Sequence, residues 1–151
     1  MNLYFTVNFV NPKYGMDHRF LSVDGLSVQL TPKLAPKNIF RPNINRRTVL
    51  RPQFKELVLK RAYRPNSNVL EWCMNAMNNH KREEENLTVT LLNSRQDMIS
   101  AWRIEKAMPI GWHVDELHAE DSKIMIETIT LTYDYFEVVN GLGKVLAPKE
   151  K

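Results

Sequence analysis

The residues that decide the fold are Leu87-Thr88-Val89-Thr90-Leu91-Leu92-Asn93 and, further on, Lys123-Ile124-Met125-Ile126-Glu127-Thr128-Ile129-Thr130-Leu131. In the first, Leu87, Val89 and Leu91 alternate with Thr88, Thr90 and Leu92, which is the period-two pattern of a strand. Turn residues Asn93 to Asp97 follow, and Met98 to Ile104 returns, which predicts a hairpin. In the second, Ile124, Ile126, Ile129, Leu131, Tyr133 and Tyr135 keep the chain strand-rich through Val139. That is long for one core strand, where roughly five to six residues is usual, so part of it is expected to extend beyond the core and meet something else. Between the two, Trp102 and Ala107-Met108-Pro109-Ile110-Gly111-Trp112 read as a proline-aromatic corner.

Upstream, Leu3, Phe5, Val7 and Phe9 alternate with Tyr4, Thr6, Asn8 and Val10, another strand and not a basic-then-apolar leader. Phe20 to Leu30 continues as strand, interrupted at Asp24-Gly25 by a bulge or tight bend. Phe54 to Arg61 is strand again. One helix is expected after Pro65-Asn66-Ser67-Asn68, with Asn68 and Glu71 at capping-box spacing. Leu70, Trp72, Cys73, Met74 and Met77 are its expected anchors on the sheet. The tally predicts a mainly β chain, an antiparallel sandwich or barrel of about six to eight strands with one flanking helix.

Composition agrees with a single domain over residues 1–151, of which 43% are apolar and 25% charged. No run reaches the roughly 18 apolar residues that span a bilayer, so no membrane anchoring is expected. The single cysteine, Cys73, allows no internal disulfide, which suits a reducing cytoplasm. Net charge is +4 but unevenly placed. Gly25 to Lys55 holds Lys33, Lys37, Arg41, Arg46, Arg47 and Arg51 with no acid, and its Pro32, Pro36, Pro42 and Pro52 predict a basic, proline-rich loop at about 31–52. Gly141 to Lys151 reads as a flexible tail.

Several residues invite a chemical reading, and each has a plainer one. His113, Asp115, Glu116 and His118 cluster, but their spacing does not match a helical zinc motif, so a polar loop is expected and no metal. Cys73 and His80 lie about two helical turns apart, too far to act as nucleophile and base, and Cys73 reads as core. Trp102 and Trp112 read as core or interface. The sequon Asn86-Leu87-Thr88 carries no weight without a secretory signal. No constellation supports an enzyme, a cofactor or a small-molecule ligand.

The ordered set Phe20 to Leu26 (FLSVDGL), Leu57 to Arg61, Leu70 with Trp72, Leu87 to Asn93, Trp102, Ala107, Pro109, Trp112, Leu117, Ala119 and Glu127 resembles the tail tube proteins of contractile phages and contractile injection systems. The resemblance covers about Phe20 to Tyr133 and rests on order and spacing. It implies a β-sandwich flanked by a helix, with six copies forming a ring whose strands line a barrel. Rings would stack inside a sheath, above baseplate and spike proteins, around a lumen for DNA or other cargo. Assembly would occur in the bacterial cytoplasm, with the product residing in a virion or injection particle.

If the chain is such a subunit, the basic residues Lys33, Lys37, Arg41, Arg46, Arg47 and Arg51 are expected to make inter-ring contact, and Ile124, Ile126, Ile129, Leu131 and Tyr133 to form the strand closing the barrel between subunits. In ordinary tube subunits the segment after the glycine-leucine pair is an acidic, glycine-containing hairpin, whereas Leu34 to Arg51 here is basic and lacks glycine. That difference points to a tube-initiating ring at the baseplate ahead of the bulk tube. The alternative function is a small basic nucleic-acid-binding β domain, since phosphates select lysine and arginine.

Overall fold

The computed structural model describes residues 2–34, 48–120 and 124–150. Its elements in chain order are β1 (Tyr4–Phe9), a 3-10 turn (Pro12–Tyr14), β2 (Ser22–Asp24), β3 (Val28–Leu34), β4 (Thr48–Phe54), β5 (Leu57–Ala62), α1 (Asn68–Asn78), β6 (Glu85–Leu92), β7 (Met98–Val114), β8 (Ile126–Thr132) and β9 (Tyr135–Asn140). All strand pairings are antiparallel. Seven strands form one sheet in the order β1-β6-β7-β8-β5-β2, with β9 also on β7, and β3 and β4 form a separate ribbon.

The longest strand is β7, not the segment after Lys123. Residues expected to form a corner, Ala107 to Trp112, lie within β7. The Lys123–Val139 segment is instead two strands broken at Tyr133-Asp134. The two arms nevertheless form one long hairpin in a nearly constant register, from Val114 opposite Glu127 to Ser100 opposite Asn140. Both arms bend at one level. Lys106 has a left-handed φ of 58° with its N–H on Asn86 Oδ1 at 2.8 Å, and Asp134 donates its N–H to the Glu105 carbonyl. This bulge turns β7 from one half of the sheet to the other. Its first part pairs with β6 and β9, its second with β8. A second register shift lets Pro109, which has no N–H to donate, sit in the strand.

The folded-over halves enclose one core. Val7, Phe9, Leu87, Val89 and Ile104 come from the β1-β6-β7 half, and Leu57, Leu59, Ile129 and Leu131 from the β8-β5 half. Helix α1 closes one side through Val69, Trp72, Cys73 and Ala76, which are buried at i, i+3, i+4 and i+7. Trp72 stacks edge-on against Phe9 and donates Nε1–H to the Glu83 carbonyl at 2.8 Å. Of the expected anchors, Trp72 and Cys73 are buried, Leu70 and Met74 are half-buried, and Met77 is exposed. At about 100° per residue Met77 has rotated roughly a quarter turn off the buried line. The N-cap is Ser67, not Asn68: its hydroxyl accepts the Leu70 N–H, while Asn68 reaches out to the Lys13 carbonyl.

Two other expectations change. Residues 31–34 and 48–52 are strand and not loop: Pro32 lies opposite Leu50, and Pro52 opposite Leu30. The Lys55 N–H to Ser27 carbonyl bond sets the alternation, so both prolines fall at non-hydrogen-bonded positions, where no donor is missed. The chain after Gly141 folds back and does not fray: Val145 bridges Val139, the Leu146 N–H meets the Val138 carbonyl, and the Lys149 ammonium lies over the Tyr135 ring at 4.1 Å. The mainly β, antiparallel fold with one flanking helix is as expected: seven of the nine strands among the described residues form one sheet, and the β3–β4 ribbon supplies the other two.

Candidate assembly surfaces

A buried ionic knot fixes the half of the sheet made by β2, β5, β8 and the end of β7. Arg61 leaves β5 toward the core, its side chain almost wholly out of water. Its Nε–H donates to Glu127 Oε2 at 2.8 Å, one terminal nitrogen to Asp17 Oδ1 at 2.8 Å, and the other to Ser67 Oγ at 2.6 Å. The Ser67 hydroxyl donates to Asp17, so one oxygen caps α1 and joins the knot. Trp112 Nε1–H completes Glu127 at 2.7 Å, and Phe20 covers the guanidinium at 5.3 Å. No polar side-chain atom buried among the described residues lacks a partner. Burial by itself would raise the Asp17 carboxyl, but the Ser67 and Arg61 hydrogen bonds outweigh it and hold it below the usual carboxylate range. Phe20, Arg61, Trp112 and Glu127, scattered among the motifs of the resemblance, meet here. Asp17 and Ser67 belong to the site too, and nothing in sequence marks them beyond the capping preference of serine.

That half-sheet has an available edge on each side. Among the described residues, β2 pairs only with β5, and Met108–Val114 of β7 pair on one side only, with β8. Because the pairings are antiparallel throughout, these two edges run in opposite senses. The face opposite the core is mostly polar: Ser22, Lys60, Thr128 and His113 share one row, and Asp24, Val58 and Thr130 the next.

Strand β8 itself is paired on both sides, by β7 and β5, and Ile129 and Leu131 are fully buried in the core. The five residues expected to close a barrel between subunits therefore do not offer a free strand. Ile124 precedes β8 and is 72% exposed, Ile126 is half-buried at its start, and Tyr133 follows it, donating its hydroxyl to the Lys55 carbonyl at 2.6 Å. Alternating isoleucines mark a strand equally well whether it lies at an edge or in the middle.

From the far end of the half-sheet, past Asp24 and Leu57, the β3–β4 ribbon departs. One of its faces carries Val28, Leu30, Pro32, Leu50, Pro52 and Phe54, the other Gln29, Thr31, Arg51 and Gln53. Phe54 anchors the base against Tyr133 and Phe136, with centroids 5.9 and 5.0 Å away. Further out, Leu30 is 61% and Leu50 57% exposed, an apolar face that the described residues do not cover. Of the six cations expected to make inter-ring contact, Arg51 is exposed on β4 and the Lys33 backbone pairs with Val49 in β3. Lys37, Arg41, Arg46 and Arg47 lie outside the described residues.

Neither alternative chemistry gains geometry. His113 and Asp115 stand 3.8 Å apart, and His118 and Glu116 3.5 Å, as two exposed pairs, and no group of three possible metal donors forms among the described residues. Burial, with Glu127 adding to it, pushes the Cys73 thiol up to about 12, so it is no nucleophile, and His80 is exposed past the helix end. No described helix is long and apolar enough to cross a membrane.

Residues 1–137 match the family model of the T4-like virus tail tube protein gp19. No curated protein matches the sequence. Among solved structures, the fold is similar to a chain of the anti-feeding prophage baseplate, with TM-score 0.69, 19% identity and 93% of each chain covered. It is also similar to a chain of the PVC extracellular contractile injection system sheath-tube complex, with TM-score 0.67, 18% identity and coverage of 90% of this chain and 88% of that one. Hcp1 of Flavobacterium johnsoniae aligns at TM-score 0.51 and 10% identity, over 94% and 97%. At these identities the structures speak for the fold.

Proposed function

Because the chain belongs to the T4-like virus tail tube protein family, we propose that it is a structural subunit of the inner tube of a contractile tail or injection particle, six copies of which form a ring around a lumen. The observation that carries this is the pair of strands, β2 and the end of β7, that among the described residues are each paired on one side only, at the two sides of one four-stranded half-sheet. An open edge is a template for another chain. Here the edges run in opposite senses, so β2 of one copy continues antiparallel onto β7 of the next, head to tail, and rotation closes the ring. Barrel closure thus passes from β8, now interior, to β2 and β7. The polar face of Thr128, Thr130, Lys60 and Ser22 would line the lumen through which DNA or other cargo passes.

The β3–β4 ribbon leaves at one end of that barrel. An isolated two-stranded ribbon is marginal in water, and this one exposes Leu30 and Leu50. Docking on the adjacent ring would cover them, with the basic segment of Lys33, Lys37, Arg41, Arg46, Arg47 and Arg51 against acidic surface there. Its basic, glycine-free character supports a ring that begins the tube at the baseplate, where the partner below differs from another copy. Assembly in the bacterial cytoplasm, and sheath, baseplate and spike proteins as neighbours, belong to the same proposal.

Negative-stain microscopy with light scattering on the purified chain tests it. Six-fold rings support the reading, with stacks favouring the bulk tube and isolated rings the initiator. A strict monomer at high concentration counts against self-assembly. Nucleic-acid binding that falls steeply with salt, and is lost on charge reversal at Arg46 and Arg47, would favour the nucleic-acid alternative instead.

A further inference from the structure

We infer that a basic, apolar groove at Met16–Leu21 receives the acidic loop Asp115–Glu120 of a second copy, and that this contact locks neighbours within the ring. The inference rests on the ring reading above. The groove has a volume of about 450 Å³ and is walled by Met16, His18, Arg19, Leu21 and Arg64. Met16 is 75% and Leu21 62% exposed, large apolar side chains that the described residues leave largely in water. Arg64 fixes the wall by donating to the Met16 carbonyl at 2.8 Å, and among the described residues neither Arg19 nor Arg64 forms an ion pair. The one acid in the segment, Asp17, is turned inward and spent on Arg61. The groove therefore presents Arg19 and Arg64 around an apolar floor, with the buried Asp17 also acting on Arg64.

The loop has the opposite character. Asp115, Glu116 and Glu120 are exposed around Leu117, itself 73% exposed. Within the chain the described ion-pair contacts of Asp115 and Glu116 are only to histidines.

Position matches the two. Val114 pairs with Glu127, Glu127 with Arg61, and the Leu21 N–H reaches the Lys60 carbonyl, so loop and groove leave the half-sheet at the same end but on opposite sides. Within one chain β8 and β5 separate them. When β2 of one copy continues onto β7 of the next, the groove of the first and the loop of the second become neighbours at one level. Opposite charge around apolar knobs then sets register and partner choice. The β3–β4 ribbon departs from the other end of the half-sheet, so it is the rival partner only for a stacked ring.

Pairwise cysteine cross-linking on the full chain distinguishes these. Leu117→Cys protein is mixed with Leu21→Cys, with Leu50→Cys, or with Leu142→Cys as control, and oxidised mildly, while sedimentation reports assembly. Native Cys73 is buried and inert. The expected result is a dimer from the 117–21 mixture alone, and a ladder ending in a ring from the double variant. Arg19→Glu should lower its yield about five-fold, with Glu116→Arg restoring it. Assembly without the 117–21 product, or with the 117–50 product instead, overturns the groove assignment and leaves the ring reading standing. A chain that neither sediments above monomer nor cross-links at high concentration overturns both.

Discussion

Arg61 and Glu127 are 66 residues apart in sequence and 2.8 Å apart in the fold, a charge pair with both side chains out of water. Two carboxylates, Glu127 and Asp17, share this one guanidinium. Removing the cation leaves both acids buried without a counter-charge, and breaking a buried pair from one side costs about 3–5 kcal/mol. Arg61→Met is therefore expected to remove much of the stability of the domain, set against a usual total of roughly 5–15 kcal/mol. Glu127→Gln should cost less, since its amide oxygen still accepts one of the two bonds. Urea unfolding at neutral pH measures both, and an Arg61→Met loss under about 1 kcal/mol would refute the role given to the knot.

The same knot makes stability depend on acid. The folded Asp17 carboxyl lies below its unfolded value, so its contribution is present above the usual aspartate range near 4 and is lost as pH falls through the folded value. Asp17→Asn should be less stable at pH 7 and show a flatter acid limb. Urea midpoints from pH 7 to 3 test this, and parallel limbs for the two proteins would contradict it.

Gly25 carries φ +101°, and an added Cβ would strike the carbonyl oxygen of Glu56 across the bend between β2 and β3. Gly25→Ala is expected to destabilise by about 1–3 kcal/mol or to misplace the ribbon. Gly143, also left-handed at φ +81° but facing open space, should tolerate asparagine with a smaller loss. Thermal unfolding of the two variants side by side gives the comparison, and equal losses would rule out the close approach as the cause.

Leu30→Asp and Leu50→Asp change side chains that the single chain already leaves in water. Unfolding free energy should stay within about 0.5 kcal/mol of the parent, while self-association weakens. Sedimentation equilibrium beside chemical unfolding reads both; loss of fold with loss of assembly would mean that the ribbon face is part of the monomer's core.

Cys73 should resist alkylation at pH 8 in the native protein, since burial holds its thiol up at about 12, and react promptly once unfolded. Rapid native labelling would show that α1 opens on the timescale of the reaction.

Much of this chain was legible from local pattern. Alternation in Leu3–Phe9 and Leu87–Leu91 marked strands, the apolar spacing through Trp72 and Cys73 marked the helix, and Asp24-Gly25 marked the bend. These follow from backbone geometry over a few residues, where side chains repeat every two positions in strands and every 3.6 in helices. The order of weak motifs also sufficed to indicate the family.

Other features were settled only in three dimensions. Whether a strand has a free edge depends on what pairs beside it, so the sequence could not tell that β8 is interior while β2 and the end of β7 are open among the described residues. Lys106 turns β7 from one half-sheet to the other, yet a lysine in a strand-rich run gives no sign of a left-handed φ. Asp17, Arg61 and Glu127 read as surface charges one at a time, because the cost of burying each is offset only by the others. Period and composition are local properties and were present in the sequence; edge availability and charge pairing depend on contacts between distant residues, and only the folded chain brings those together.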